Sequence, residues 1–104
     1  MFVVTMFFPN LSQIVFDQGY YLNDHLKNVK NLLDTLGLID IEMQIGISDT
    51  NPETLPQYHA ITNLKFHSIE DIHNAFIKTA KEIISDTSIF TNSKPVFQIS
   101  KIIV

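Results

Sequence analysis

Few side chains in this sequence are equipped to move a proton or hold a ligand, and Tyr21 with His25 is the most suggestive pair. Spaced four residues apart, they share one face of any helix that contains both. His25 falls about 300° around such a helix from Leu22, between Leu32 and Leu36, so an ionisable ring stands inside an apolar arc. Burial there favours the neutral imidazole. A neutral imidazole among apolar side chains can take a proton from an acidic carbon or a phenol, or hydrogen-bond a ligand. Tyr21 could hydrogen-bond the same molecule. Against this stands a core histidine satisfied by a backbone carbonyl or a neighbouring hydroxyl, which accounts for the same residue types.

The remaining candidates are weaker. Tyr58 and His59 are neighbours on a strand and so point to opposite faces, Tyr58 sharing parity with Ala60, Thr62, Leu64 and Phe66, and His59 with Ile61, Asn63 and Lys65. That parity directs Tyr58 to the apolar face and His59 toward a helix edge or solvent. His67 precedes a helix start and is expected to be exposed, and His73 sits at the margin of an apolar arc. Phe16 and Phe90, at a helix entry and in a loop, could wall a hydrophobic ligand, or could serve as core, as could Phe97. Gln98 and Ser100 alternate with Phe97 and Ile99 and could orient a ligand, or pair with their own neighbours. No H-x-H, H-E-x-x-H or histidine-carboxylate cluster is present, so no metal is expected. Three glycines form neither G-x-G-x-x-G, nor a P-loop, nor G-x-S-x-G, and no cofactor is expected either.

Composition narrows the classes further. Seven Lys and Arg against eleven Asp and Glu give a net charge of −4 over 104 residues, which opposes binding to a phosphate backbone. Nucleic acid is thus excluded as the expected partner. With no cysteine, the chain has no disulfide, thiol nucleophile or cysteine-ligated centre, and suits a reducing compartment. The apolar run from Met1 to Phe8 lacks a basic flank and stops at Pro9, too short for a membrane span. A soluble, cytoplasmic protein is the expectation, folded as one domain over residues 1–104 with no repeat or tail.

Six elements must position the candidates. Phe2 to Phe8 is β-branched or aromatic on both faces, as in a central strand. Asp17 is an N-cap and Gly37 a C′ residue for a helix between them, burying Leu22, Leu26, Val29, Leu32, Leu33 and Leu36. Ile39 to Ile47 alternates with polar residues, as an edge strand does, and Tyr58 to Phe66 follows a proline-containing loop. Ser68, with Asp71 three residues on, starts a second helix that buries Ile69, Ile72, Phe76, Ala80 and Ile83 and ends near Ser85. A loop from Asp86 to Lys94 leads into a last strand, Val96 to Val104.

The order β-α-β-β-α-β is the split βαβ arrangement of an α+β, ferredoxin-like fold, with both helices on one face of a four-stranded antiparallel sheet. The first and last strands are apolar on both sides, so the uncovered face would leave an apolar patch on a monomer. A homodimer packed sheet to sheet is therefore expected.

On this frame, Phe16-Asp17-Gln18-Gly19-Tyr20-Tyr21-Leu22-Asn23-Asp24-His25 resembles the first-helix signature of the EthD family, a Tyr-Tyr pair followed by a histidine. Tyr58-His59-Ala60-Ile61, Ser68-Ile69-Glu70-Asp71, Ile89-Phe90-Thr91-Asn92 and Pro95-Val96-Phe97-Gln98-Ile99-Ser100 follow in the family's order, so the resemblance runs from about Met6 to Ser100. It implies a dimeric α+β barrel with a small-molecule pocket between the sheet and the first helix. It also implies kinship with cofactor-independent monooxygenases, polyketide cyclases and muconolactone isomerase. The activity it suggests is a cofactor-independent oxidoreductase or oxygenase auxiliary acting on a small apolar oxygen-bearing molecule. His25 would be base or hydrogen-bond donor and Tyr21 its helper, with Phe16, Tyr58, His59, Phe90, Gln98 and Ser100 lining the ligand. An isomerase or cyclase of the muconolactone-isomerase type, and a non-catalytic binding or structural homodimer with a collapsed cavity, are the alternatives.

Overall fold

A computed structural model describes all 104 residues. Strand β1, Phe2–Pro9, lies at the centre of one antiparallel sheet beside β3, Tyr58–Phe66; β2, Leu38–Ile45, and β4, Val96–Lys101, form the edges, in the order β2-β3-β1-β4. Helix α1 covers residues 18–36 and helix α2 covers Ile69–Phe90. β1 and β2 run parallel with antiparallel β3 between them, so the predicted split βαβ topology is the one observed. The shortest dimension of the molecule, 19 Å, is that of one sheet and one helix layer.

The core lies between the helices and the sheet. Val4, Met6 and Phe8 of β1 and Ala60, Leu64 and Phe66 of β3 point into it, against Val29 and Leu33 of α1 and Ile72, Ala75, Ile83 and Phe90 of α2. These positions alternate along each strand, which is why the hydrophobic pattern alone specifies the covered face. The other face is less apolar than the sequence pattern suggests. Phe7, Tyr58, Ile61 and Val96 make one apolar end, but Thr5 donates to Asn63, Asn63 donates to Glu42, and Gln98 donates to Ser100 across a polar band. Lys65 and Asp40 approach to 3.9 Å beyond it.

Both predicted caps of α1 are present: Asp17 Oδ1 accepts from the Tyr20 N–H, and Gly37 takes a left-handed φ of 99°. Its interior is not one regular helix. An α-helical turn, Gln18–Tyr20, passes into a π-helical turn, Tyr21–His25, before α-helix resumes at Leu26–Leu33 and tightens to a 3₁₀ turn at Asp34–Leu36. The wide turn changes the phase of the helix, so the buried row is Tyr21, His25, Val29 and Leu33, while Leu22, expected inside, is 38% exposed.

Helix α2 begins as predicted, with Ser68 Oγ accepting from the Asp71 N–H. It runs five residues past the expected end at Ser85, because Thr87 and Phe90 extend the row of Ile72, Ala75, Thr79 and Ile83 into the core. Ile69, expected to be buried, is exposed, and β4 is shorter than the expected Val96 to Val104. Two one-residue bulges adjust the sheet. One lies at Ile39, between Leu38 and Asp40, and the other at His59, where Phe8 pairs with Ala60 but Pro9 pairs with Tyr58.

Candidate functional site

The extension of α2 places Asp86 opposite the π turn of α1. His25 Nδ1 lies 2.6 Å from Asp86 Oδ2; on Oδ1, Asp86 accepts from the Tyr20 hydroxyl at 2.8 Å and from Asn28 Nδ2 at 3.2 Å. Three donors thus converge on one carboxylate. Burial alone would raise the Asp86 pKa, but the hydrogen bonds from His25, Tyr20 and Asn28 more than offset it and hold the group below its ordinary value of 3.8. Tyr20 is pushed up, first by its hydrogen bond to Asp86.

For His25 burial is the stronger influence and lowers its pKa below 6.5, although Asp86 pulls the other way. The ring is neutral near pH 7. An ionised Asp86 can only accept, so the hydrogen sits on Nδ1 and the lone pair on Nε2. Nε2 is buried and has no hydrogen-bond partner, a situation that costs roughly 1–3 kcal/mol for a polar group. A donor on a bound molecule would recover that cost.

Two aromatic rings lie beside the imidazole, and others pack behind them. Tyr21 lies nearly parallel to the His25 ring at 6.0 Å between centroids, and Phe90 lies at 4.8 Å. Phe8 and Phe16 meet Tyr21 edge to face, and the His59 ring is 4.5 Å from Phe16. Tyr21 is fully buried, and its hydroxyl donates to the Ile61 carbonyl at 3.1 Å and lies 2.6 Å from Thr62 Oγ1. Burial raises its pKa to about 12.

Of the residues proposed from the sequence, Phe16, Tyr21, His25, His59 and Phe90 come together in this cluster. Tyr58, Gln98 and Ser100 do not. The bulge at His59 reverses the expected parity, turning His59 toward Phe16 and placing Tyr58 against Phe7 on the open face, at a centroid distance of 5.0 Å. Gln98 and Ser100 lie on that same open face, bonded to each other. Tyr21, expected to help a ligand, has its hydroxyl held by protein groups on two sides, and Phe90 belongs to α2, not to a loop. The pocket implied between the sheet and α1 is filled by side chains: none of the five cavities in the molecule is lined by His25 or Tyr21. No three His, Asp or Glu side chains form a metal-binding group.

Asp86, Tyr20 and Asn28 were not singled out by sequence reasoning. Continuing the α2 period through Ile72, Thr79 and Ile83 reaches Asp86 on the buried side, and a carboxylate at that phase was the available signal.

No protein-family model and no curated protein matches the sequence. Among solved structures, an EthD-like protein from Ralstonia eutropha JMP134 superimposes with a TM-score of 0.90 at 25% identity, covering 99% of this chain and 92% of that one. The chain is a relative of the EthD proteins. An EthD family protein from Bacillus halodurans C-125 matches this EthD-like chain with a TM-score of 0.76 at 14% identity, over 99% of each. A hydroxynitrile lyase from Passiflora edulis shares the fold, at a TM-score of 0.66 and 17% identity over 97% of this chain and 93% of that one. No helix is long and apolar enough to cross a membrane.

Proposed function

We propose that this EthD-like chain is a cytoplasmic, homodimeric small-molecule-binding protein in which His25 Nε2 serves a small apolar ligand carrying an acidic O–H or C–H. One observation carries the reading: a fully buried imidazole is held in one tautomer by Asp86, while its buried acceptor nitrogen has no hydrogen-bond partner. An oriented neutral imidazole is equipped to accept a proton, and Asp86 would stabilise the imidazolium that forms. Proton abstraction from such a ligand is the step that a cofactor-independent oxidoreductase, or an isomerase or cyclase, requires. Because no cavity reaches His25, entry of a ligand requires side chains of the cluster to move. Dimerisation would use the open sheet face at its apolar end, around Phe7, Ile61 and Val96.

A second reading, a structural homodimer with a satisfied core, is favoured by the engaged Tyr21 hydroxyl and the filled space around His25. Long-range ¹H–¹⁵N NMR of the histidine rings, with 4-methylphenol as probe, separates the two. The expected result is a saturable shift of the His25 Nε2 resonance on titration, while the His67 and His73 resonances stay in place. An Nε2 resonance that does not move at millimolar probe sinks the ligand-binding reading and leaves the structural one.

A further inference from the structure

The largest space in the molecule is not lined by His25. A cleft of about 490 Å³ opens between the C-terminal half of α2 and the segment 91–95, and a groove of about 260 Å³ continues from it between α2 and β4. Ile84 and Phe97 line both, so the two form one elongated depression. Its ends differ in chemistry. The groove is floored by Val4, Ile72, Phe76 and Ala80, while hydroxyl-bearing side chains and Lys94 surround the cleft.

The loop wall of the cleft is tied to other segments by side-chain hydrogen bonds. Thr91 Oγ1 donates to the Val15 carbonyl, Ser93 Oγ donates to the Pro9 carbonyl, and Asn92 clasps Gln13 and Val15. Lys94 is different: its ammonium makes neither an ion pair nor a hydrogen bond, and no Asp or Glu lines either cavity in this otherwise acidic chain. Ile84, Phe97 and Ile99 remain 47%, 37% and 44% exposed along the depression, apolar surface that the protomer leaves uncovered.

We propose that the α2–β4 depression is a binding site for a monocarboxylate with an apolar chain or ring, the carboxylate at Lys94 and the apolar part along Phe97 and Ile84. Charge complementarity selects the anion, and the apolar floor selects a hydrophobic tail. The site is independent of His25.

Octanoate, kept below its micelle concentration, is the probe, followed by amide NMR shifts on the full chain. Saturable shifts at Ile84, Lys94 and Phe97 are expected, weakened about twofold to fivefold in Lys94→Gln, as for one exposed ion pair. The neutral probe 1-octanol should bind wild type and Lys94→Gln alike, and Ile84→Glu, a change at an exposed helix position, should weaken octanoate further. His25→Gln should leave octanoate binding unchanged, so this site and the His25 reading stand or fall separately. Shifts that are absent, that map elsewhere, that are indifferent to Lys94→Gln, or that follow protein concentration in place of octanoate overturn the proposal, the last by showing a second copy seated there.

Discussion

His25 and Asp86, sixty-one residues apart in sequence, meet through one 2.6 Å contact between Nδ1 and Oδ2. The contact joins the π turn of α1 to a part of α2 that a shorter helix would have lacked. It fixes the tautomer of a ring whose other nitrogen is unsatisfied.

Replacing Asp86 with Asn tests that relationship. An amide offers one acceptor oxygen to three donors, so one of His25, Tyr20 or Asn28 loses its partner. Asp86→Asn should lower stability by roughly 1–3 kcal/mol, read as a lower urea midpoint with an unchanged slope. The same variant should redistribute the His25 proton between its ring nitrogens, visible in ¹⁵N shifts. An unchanged midpoint and tautomer would show that Asp86 does not position the ring.

The pH dependence of stability has a definite sign. His25 has a folded pKa below 6.5, so its contribution is complete above that value and is lost as pH falls and the unfolded chain takes up a proton first. Asp86, also lowered, adds a contribution present above 3.8 and lost on further acidification. Tyr21, raised to about 12, works in the opposite sense: stability falls as pH rises from 10 toward 12. Urea midpoints across pH should therefore show a plateau near neutrality. In His25→Gln the decline that begins near pH 6.5 should be reduced.

Tyr21→Phe should cost about 1–2 kcal/mol in a thermal or urea melt, because its hydroxyl links α1 to Ile61 and Thr62 of β3. The shift of His25 Nε2 with 4-methylphenol should persist in this variant. Its loss, with the fold intact, would return Tyr21 to the ligand.

Much of the fold was legible because each signal was local. Asp17, Gly37, Ser68 and the alternation in β3 mark element ends and faces whatever the rest of the chain does. The site was legible only in part. Tyr21, His25, Phe16 and Phe90 announce themselves as polar or aromatic residues at suggestive positions, yet which faces meet was decided by two irregularities that periodicity cannot register. A π turn at Tyr21–His25 turned Leu22 out of the apolar arc expected to hold it, and a single-residue bulge at His59 exchanged the faces of Tyr58 and His59. Asp86 was missed because the end of α2 was placed where the strongly apolar residues thin out; Thr87 and Phe90 carry the helix on.

Gly46 is expected to be intolerant of substitution. A Cβ there would collide with the Tyr58 carbonyl oxygen and stand 3.0 Å from Pro56, so backbone would have to yield. Gly46→Ala should cost about 1–3 kcal/mol in chemical denaturation. Wild-type stability in that variant would mean that the β2–β3 end is looser than this contact requires.

Assembly is testable without a ligand. Twice the 11.9 kDa chain, about 24 kDa, is the mass expected from light scattering at micromolar concentration. Ile61→Lys, which places a charge at the apolar end of the open face, should reduce it to that of one chain. A wild-type monomer would remove the dimer from the proposed function.

The central place of β1 bears on how the molecule is made. Strand β1 pairs on one side with β3 and on the other with β4, in the register Val4↔Leu64 and Val4↔Ile99. Its apolar residues are made before either neighbour, 60 residues ahead of the one and 95 ahead of the other. Pairings of such long sequence separation are slow to form. During that interval Phe2 to Phe8 is an unprotected strand, the kind of segment that associates with other chains or is held by a chaperone, so the nascent chain depends on the prompt arrival of β3 and β4.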